Sequence, residues 1–113
     1  MNRSLIVEAG DLPVQHQPLP AHLAVTPGVS TGSARLDSIA GLVCGVWEHS
    51  TGISTDAEQD EMFVVIAGRG RIILDDGSVL ELQPGTVGVL RAGEQTRWEL
   101  DEPLRKVWFA ADA

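Results

Sequence analysis

Apolar residues in this chain recur at every second position in short runs, and no window of helical length repeats them every three to four positions. The nearest approach to a helical period is Leu36, Ile39 and Ala40, barely one turn. From residue 42 onward, runs rich in Val, Ile, Leu and Trp are cut by Ser50-Thr51-Gly52, Gly68-Arg69-Gly70, Asp75-Asp76-Gly77, Gln83-Pro84-Gly85, Arg91-Ala92-Gly93 and Asp101-Glu102-Pro103. Turn chemistry at such near-regular spacing predicts an all-β protein, a sandwich or barrel of short strands.

Individual strands can be read with their faces. Asp76-Gly77 between Arg71–Leu74 and Val79–Leu82 predicts a tight hairpin, because both residues tolerate the positive φ such a turn demands. In Thr96–Leu100, Thr96, Trp98 and Leu100 share one face, expected to point inward, and Arg97 and Glu99 share the other. Met62–Ile66 is apolar on both faces, so one face meets the interior and the other needs cover from a second subunit or from the N-terminal segment. Residues 1–33 carry Pro13, Pro18, Pro20 and Pro27 and no sustained alternation; they predict an extended arm with one or two edge strands, leaving 34–113 as the barrel.

Composition narrows the functions open to such a barrel. Eight Lys and Arg stand against 16 Asp and Glu in 113 residues, a net charge of -8. With no basic run to displace phosphate counterions, nucleic-acid and acidic-membrane binding are excluded as expectations. Cys44, the single cysteine, sits in an apolar run, which rules out a disulfide framework and predicts a buried, inert thiol. Residues 1–10 hold one positive charge and only Leu5, Ile6 and Val7 in a row, too little for a secretory or membrane-spanning segment, so the expected location is the cytoplasm.

A particular set of residues then gives a resemblance over roughly two-thirds of the chain. It comprises Gly45-Val46-Trp47-Glu48, Thr51-Gly52, Asp60-Glu61, Val64–Gly68, Leu82-Gln83-Pro84-Gly85, Ala92-Gly93, Trp98 and Leu104–Trp108. Together these resemble the cupin superfamily, and within it the small single-domain branch related to ureidoglycine aminohydrolase. The resemblance implies a jelly-roll barrel, a double-stranded β-helix. It also implies a metal site built from a His-x-His pair, a glutamate and a later histidine. Glu61 and Gly68 keep the cupin spacing, but the histidine positions fall on Ser54 and Asp56 or on Thr55 and Ala57, and the later one on Thr96. Thr86 likewise stands where an aspartate commonly follows the glycine, a change that bears on the turn alone.

Without those imidazoles the expectation is no tightly bound metal; one carboxylate, helped by Asp56 and water, would support at most a weak divalent cation at Glu61. His16, His22 and His49 cannot replace the missing ligands by spacing, and His49, next to a turn, is expected to be exposed or bonded to backbone. Glu61 is the candidate catalytic residue, since alternation groups it with Phe63 and Val65 on the face that the resemblance assigns to the barrel interior. A carboxylate there requires a cation or donors, and Arg71 and Lys106 are the candidates. Strand alternation sends either Arg105 or Lys106 inward, and the resemblance favours Lys106.

Trp47, Phe63, Thr96, Trp98 and Lys106 complete the expected ligand-binding set around Glu61, with Trp108 assigned to the core. Asp56, Glu58 and Asp60 read as a solvated acidic loop, and Gly68-Arg69-Gly70 as a turn with no following helix to cradle phosphate. The leading functional expectation is metal-free binding of a small polar molecule by a homodimer. The rivals are a metal-dependent hydrolase resembling ureidoglycine aminohydrolase, and a non-catalytic barrel filled by its own tryptophans.

Overall fold

The computed structural model describes residues 3–111. Ten strands follow one another with no helix among the described residues: β1 Gln17–Pro18, β2 Ser30–Ile39, β3 Leu42–His49, β4 Gly52–Ala57, β5 Glu61–Ala67, β6 Gly70–Leu74, β7 Val79–Leu82, β8 Val87–Leu90, β9 Gln95–Leu100 and β10 Leu104–Ala111. Every pairing is antiparallel. One sheet has the order β1-β2-β3-β10-β5-β8 and the other β4-β9-β6-β7, and the two face each other as a jelly-roll barrel. All six turn clusters read from the sequence fall between consecutive strands, from β3/β4 to β9/β10. None of the described helices is long and apolar enough to span a membrane, there being no helix to test.

The inner faces follow the two-residue period. Phe63, Val65, Ile72, Leu82, Leu90, Trp98, Leu100 and Leu104 form the buried cluster between the sheets, and Thr96, Trp98 and Leu100 all point inward as alternation predicts. Gly88, opposite Phe63 in the β5–β8 pairing, lets that ring lie flat over the strand; a Cβ at Gly88 would run into it.

The β6–β7 hairpin forms where expected but by different turn chemistry. The loop is three residues, Asp75 to Gly77, closed by the Gly77 amide donating to the Leu74 carbonyl at 2.9 Å. Only Gly77 takes positive φ, at 87°; Asp76 keeps ordinary backbone and accepts the Ser78 amide at 2.8 Å through Oδ1. That is a type I turn followed by a glycine bulge, and the second acidic residue is what lengthens the loop.

The N-terminal segment ties the two sheets together. β1 pairs with β2 at the edge of the larger sheet, and residues 23–26 then cross to β4, where Val25 and Thr26 donate to the Ile53 carbonyl and Thr55 donates to Leu23. The expected boundary at residue 33 falls inside β2, which starts at Ser30 and belongs to the barrel sheet. Its polar sequence hides this strand, because the pairing with β3 holds it and not a buried face of its own.

On the outer face, Phe109, Met62 and Val89 lie side by side across β10, β5 and β8, with Val107, Val64 and Val87 in the next row. Residues 3–5 approach one edge of this face, near Ile39, Leu42, Cys44 and Phe109, while Met62 and Val87 remain 56% and 71% exposed. Cys44 is half-buried here, not enclosed as expected, because the segment that reaches it covers it from one side only.

Candidate functional site

At one end of the barrel, between the sheets, is a cavity of about 340 Å³, so the tryptophans do not fill the interior. β3, β4, β5, β9 and β10 contribute Trp47, Ser54, Asp56, Glu61, Trp98, Lys106 and Trp108, and the crossing N-terminal segment closes one side with Leu19 and Leu23.

Lys106 is the centre of this site. It is only 4% exposed, and its Nζ donates to Glu61 Oε2 at 2.5 Å. The same ammonium lies 4.5 Å from the Trp47 ring centroid, 4.6 Å from Phe63 and 4.8 Å from Trp98. Ring faces carry partial negative charge, so three of them and one carboxylate replace the water that burial removes from the ammonium. Of the two candidate cations, Lys106 is therefore Glu61's partner. Arg71 lies on the outer surface, bonded to Glu99 and Asp101. Arg105 points outward as well, donating to Glu48 and to the Ala9 carbonyl, and so pins the N-terminal segment.

The other expected ligand-binding residues divide. Trp47 and Trp98 line the cavity beside Lys106 and Glu61, whereas Phe63 and Thr96 are buried beneath its surface, at 2% and 4% exposure. Trp108, expected in the core, is half-buried and lines the cavity. Its ring lies over Gly45, the one residue on the neighbouring strand without a side chain to block it.

Two features escaped the sequence reading. Glu58 is 8% exposed and not part of a solvated loop: its Oε2 accepts the Thr96 hydroxyl at 2.7 Å and the Trp98 indole N–H at 3.0 Å. Ser54, Asp56 and Glu58 continue one alternating face, and that continuation is the signal by which Glu58 could have been found. His49 is buried, with Nδ1 2.6 Å from the Ser50 carbonyl and Nε2 2.8 Å from the Ser54 hydroxyl. The carbonyl can only accept, so Nδ1 donates and Nε2 accepts the Ser54 proton. Burial holds the His49 imidazolium below its ordinary range, assisted by His16 and Lys106 and opposed by the Ser50 carbonyl. Of the two expectations for His49, backbone bonding is the one realised.

Withdrawal from water raises the Asp56 carboxyl above the ordinary range, more than the Ala57 amide and Lys106 lower it, and nearby Glu61 adds to the rise. Asp56 and Thr96 are directly paired across β4 and β9, and Ser54 pairs with Trp98, so the positions where cupins carry imidazoles do converge here. The side chains there are hydroxyls and a carboxylate. Among the described residues, no three His, Cys, Asp or Glu side chains stand close enough together to hold a metal. With Glu61 already bonded to an ammonium, this donor set does not fit a divalent transition metal.

The fold is that of a cupin. Residues 39–108 match the EutQ-like cupin domain, and the chain belongs to that family. No curated protein sequence matches the chain significantly. Solved structures similar to it include the EutQ protein of Clostridium difficile (TM-score 0.67, 21% identity, 78% of this chain and 66% of that one). A protein of unknown function from Pseudomonas syringae pv. tomato aligns with TM-score 0.74 and 21% identity over 88% of this chain and 44% of that one. Ectoine synthase from P. lautus aligns with TM-score 0.69 and 15% identity over 96% and 78%. The chain thus spans just under two-thirds of the first of these and less than half of the second; at such identities the likeness is one of fold. The superfamily expectation holds and the family matched is the EutQ-like one; the match does not show the narrower resemblance to ureidoglycine aminohydrolase.

Proposed function

We propose that this cupin domain binds a small polar molecule in the cavity beside Glu61 without a tightly held divalent metal. The observation that carries this reading is the Lys106 ammonium seated on Glu61 and against three aromatic rings. A divalent ion arriving at Glu61 would have to displace a cation that is covalently part of the chain, or sit beside it against like charge. A cavity with apolar aromatic walls and a few convergent polar groups is the usual form of a small-molecule site. The rival reading, a metal-dependent hydrolase, needs an ion to polarise substrate and water, and among the described residues no cluster of three donors stands ready for one.

Calorimetric titration of the full chain with Mn, Fe, Ni and Zn salts should give no stoichiometric uptake. Tight uptake that Glu61→Ala abolishes would overturn the metal-free reading.

A second copy of the chain is the occupant we propose for the outer face. Its two apolar rows, Phe109-Met62-Val89 and Val107-Val64-Val87, form a contiguous apolar face, with Met62, Val87, Val89 and Phe109 exposed, of the kind a two-fold interface covers. Light scattering at micromolar concentration should report twice the 12.1 kDa chain mass, and Met62→Lys should shift the protein to monomer.

A further inference from the structure

The cavity's charges do not balance. Asp56, Glu58 and Glu61 line it against a single basic side chain, Lys106, and Lys106 is engaged by Glu61. Two further carboxylates therefore line the cavity without a bonded cation, Asp56 exposed at its mouth and Glu58 buried within. Glu58 is the more informative, being more than nine-tenths buried. Both of its hydrogen bonds run to Oε2. No fully buried side-chain oxygen among the described residues lacks a partner, so Oε1, which receives neither bond, keeps some exposure at a residue that lines the cavity. Trp47, Trp98 and Trp108 add three indoles to the lining, surfaces that attract positive charge and repel negative charge.

We propose that the cavity selects a ligand bearing a positively charged nitrogen, an alkylammonium or guanidinium head held between Glu58, Asp56 and the indole faces. The proposal rests on the small-molecule half of the reading above and is independent of its metal-free half. An anion would meet two unpaired carboxylates and find Lys106 already taken. A neutral molecule would cover the buried Glu58 carboxylate without compensating its charge. A cation bound there restores neutrality.

Three probes of one size separate the possibilities: butylammonium, butanol and butyrate, titrated into the full chain and followed by tryptophan fluorescence and calorimetry. Butylammonium should saturate the signal and bind at least about tenfold more tightly than either of the others, a ratio that corresponds to ~1.4 kcal/mol. Glu58→Gln, which keeps an acceptor for Thr96 and Trp98, should erase most of that preference. If that variant does not fold, Asp56→Asn at the more exposed position should reduce the preference by several-fold. Equal binding of butanol and butylammonium, or preference for butyrate, would overturn the inference and leave the small-molecule reading standing. Binding of none of the three would overturn both.

Discussion

Replacing Glu61 with Leu should destabilise the protein by about 3–5 kcal/mol, more than replacing Lys106 with Met, and the double replacement should recover most of the loss. The order follows from burial. Lys106 is 4% exposed, so Glu61→Leu leaves a buried ammonium without its bonded carboxylate, offset only by the three rings and by the more distant Asp56. Glu61 is 21% exposed, so after Lys106→Met its carboxylate can turn to solvent, and about 1–3 kcal/mol is expected. In the double variant neither charge is stranded, and methionine occupies the lysine's volume against Trp47 and Trp98. Stability within ~1 kcal/mol of the parent is the expected result.

Urea unfolding of the four proteins gives the cycle directly. Additive losses in the double variant would show that the two side chains act separately, and that the ion pair does not organise the cavity.

How far the sequence reaches can be judged from these same residues. Period-two alternation alone placed Thr96, Trp98 and Leu100 inside and Arg97 and Glu99 outside, because an antiparallel strand with one wet face leaves its side chains no other arrangement. The two-sided run Met62–Ile66 announced a second apolar face, and that face is there. The choice between Arg105 and Lys106 lay beyond alternation, since a bulge between those residues in the β10–β5 pairing sets the local register; the family resemblance supplied it.

Glu58 was missed because it lies just beyond the end of β4, where its charge suggested solvent. Its backbone is nevertheless tied to β9's side of the barrel, with the Glu58 amide donating to Glu94 and the Gly93 amide donating to the Glu58 carbonyl, so alternation continues past the strand and turns the side chain inward. The His49–Ser54 bond spans a turn that was recognised. What could not be read was that the turn brings the imidazole back to the hydroxyl, because that depends on the twist of β3 into β4. Long-range pairing fixes both residues, and pairing is what a single strand's pattern leaves open.

Trp98 joins the core to the cavity, and its replacement gives the second large effect. Its indole is 3% exposed in the central part of the smaller sheet, paired to Ser54 on one side and Ile72 on the other. It contacts the Trp47 and Phe63 rings at 5.2 and 6.2 Å between centroids. Trp98→Ala should cost about 3–5 kcal/mol, the range for emptying a buried aromatic site. Trp98→Phe separates packing from hydrogen bonding. The ring face toward Lys106 is largely kept, but Glu58 Oε2 loses the indole donor and retains only Thr96, so a loss of about 1–3 kcal/mol is expected. Glu58→Gln combined with Trp98→Phe should cost less than the sum of the two, because an amide oxygen tolerates a missing donor better than a carboxylate does. Chemical unfolding of the three variants measures this coupling. A Trp98→Phe variant as stable as the parent would show that Glu58 draws its water substitute from Thr96 alone, and that Trp98 serves the barrel only as volume.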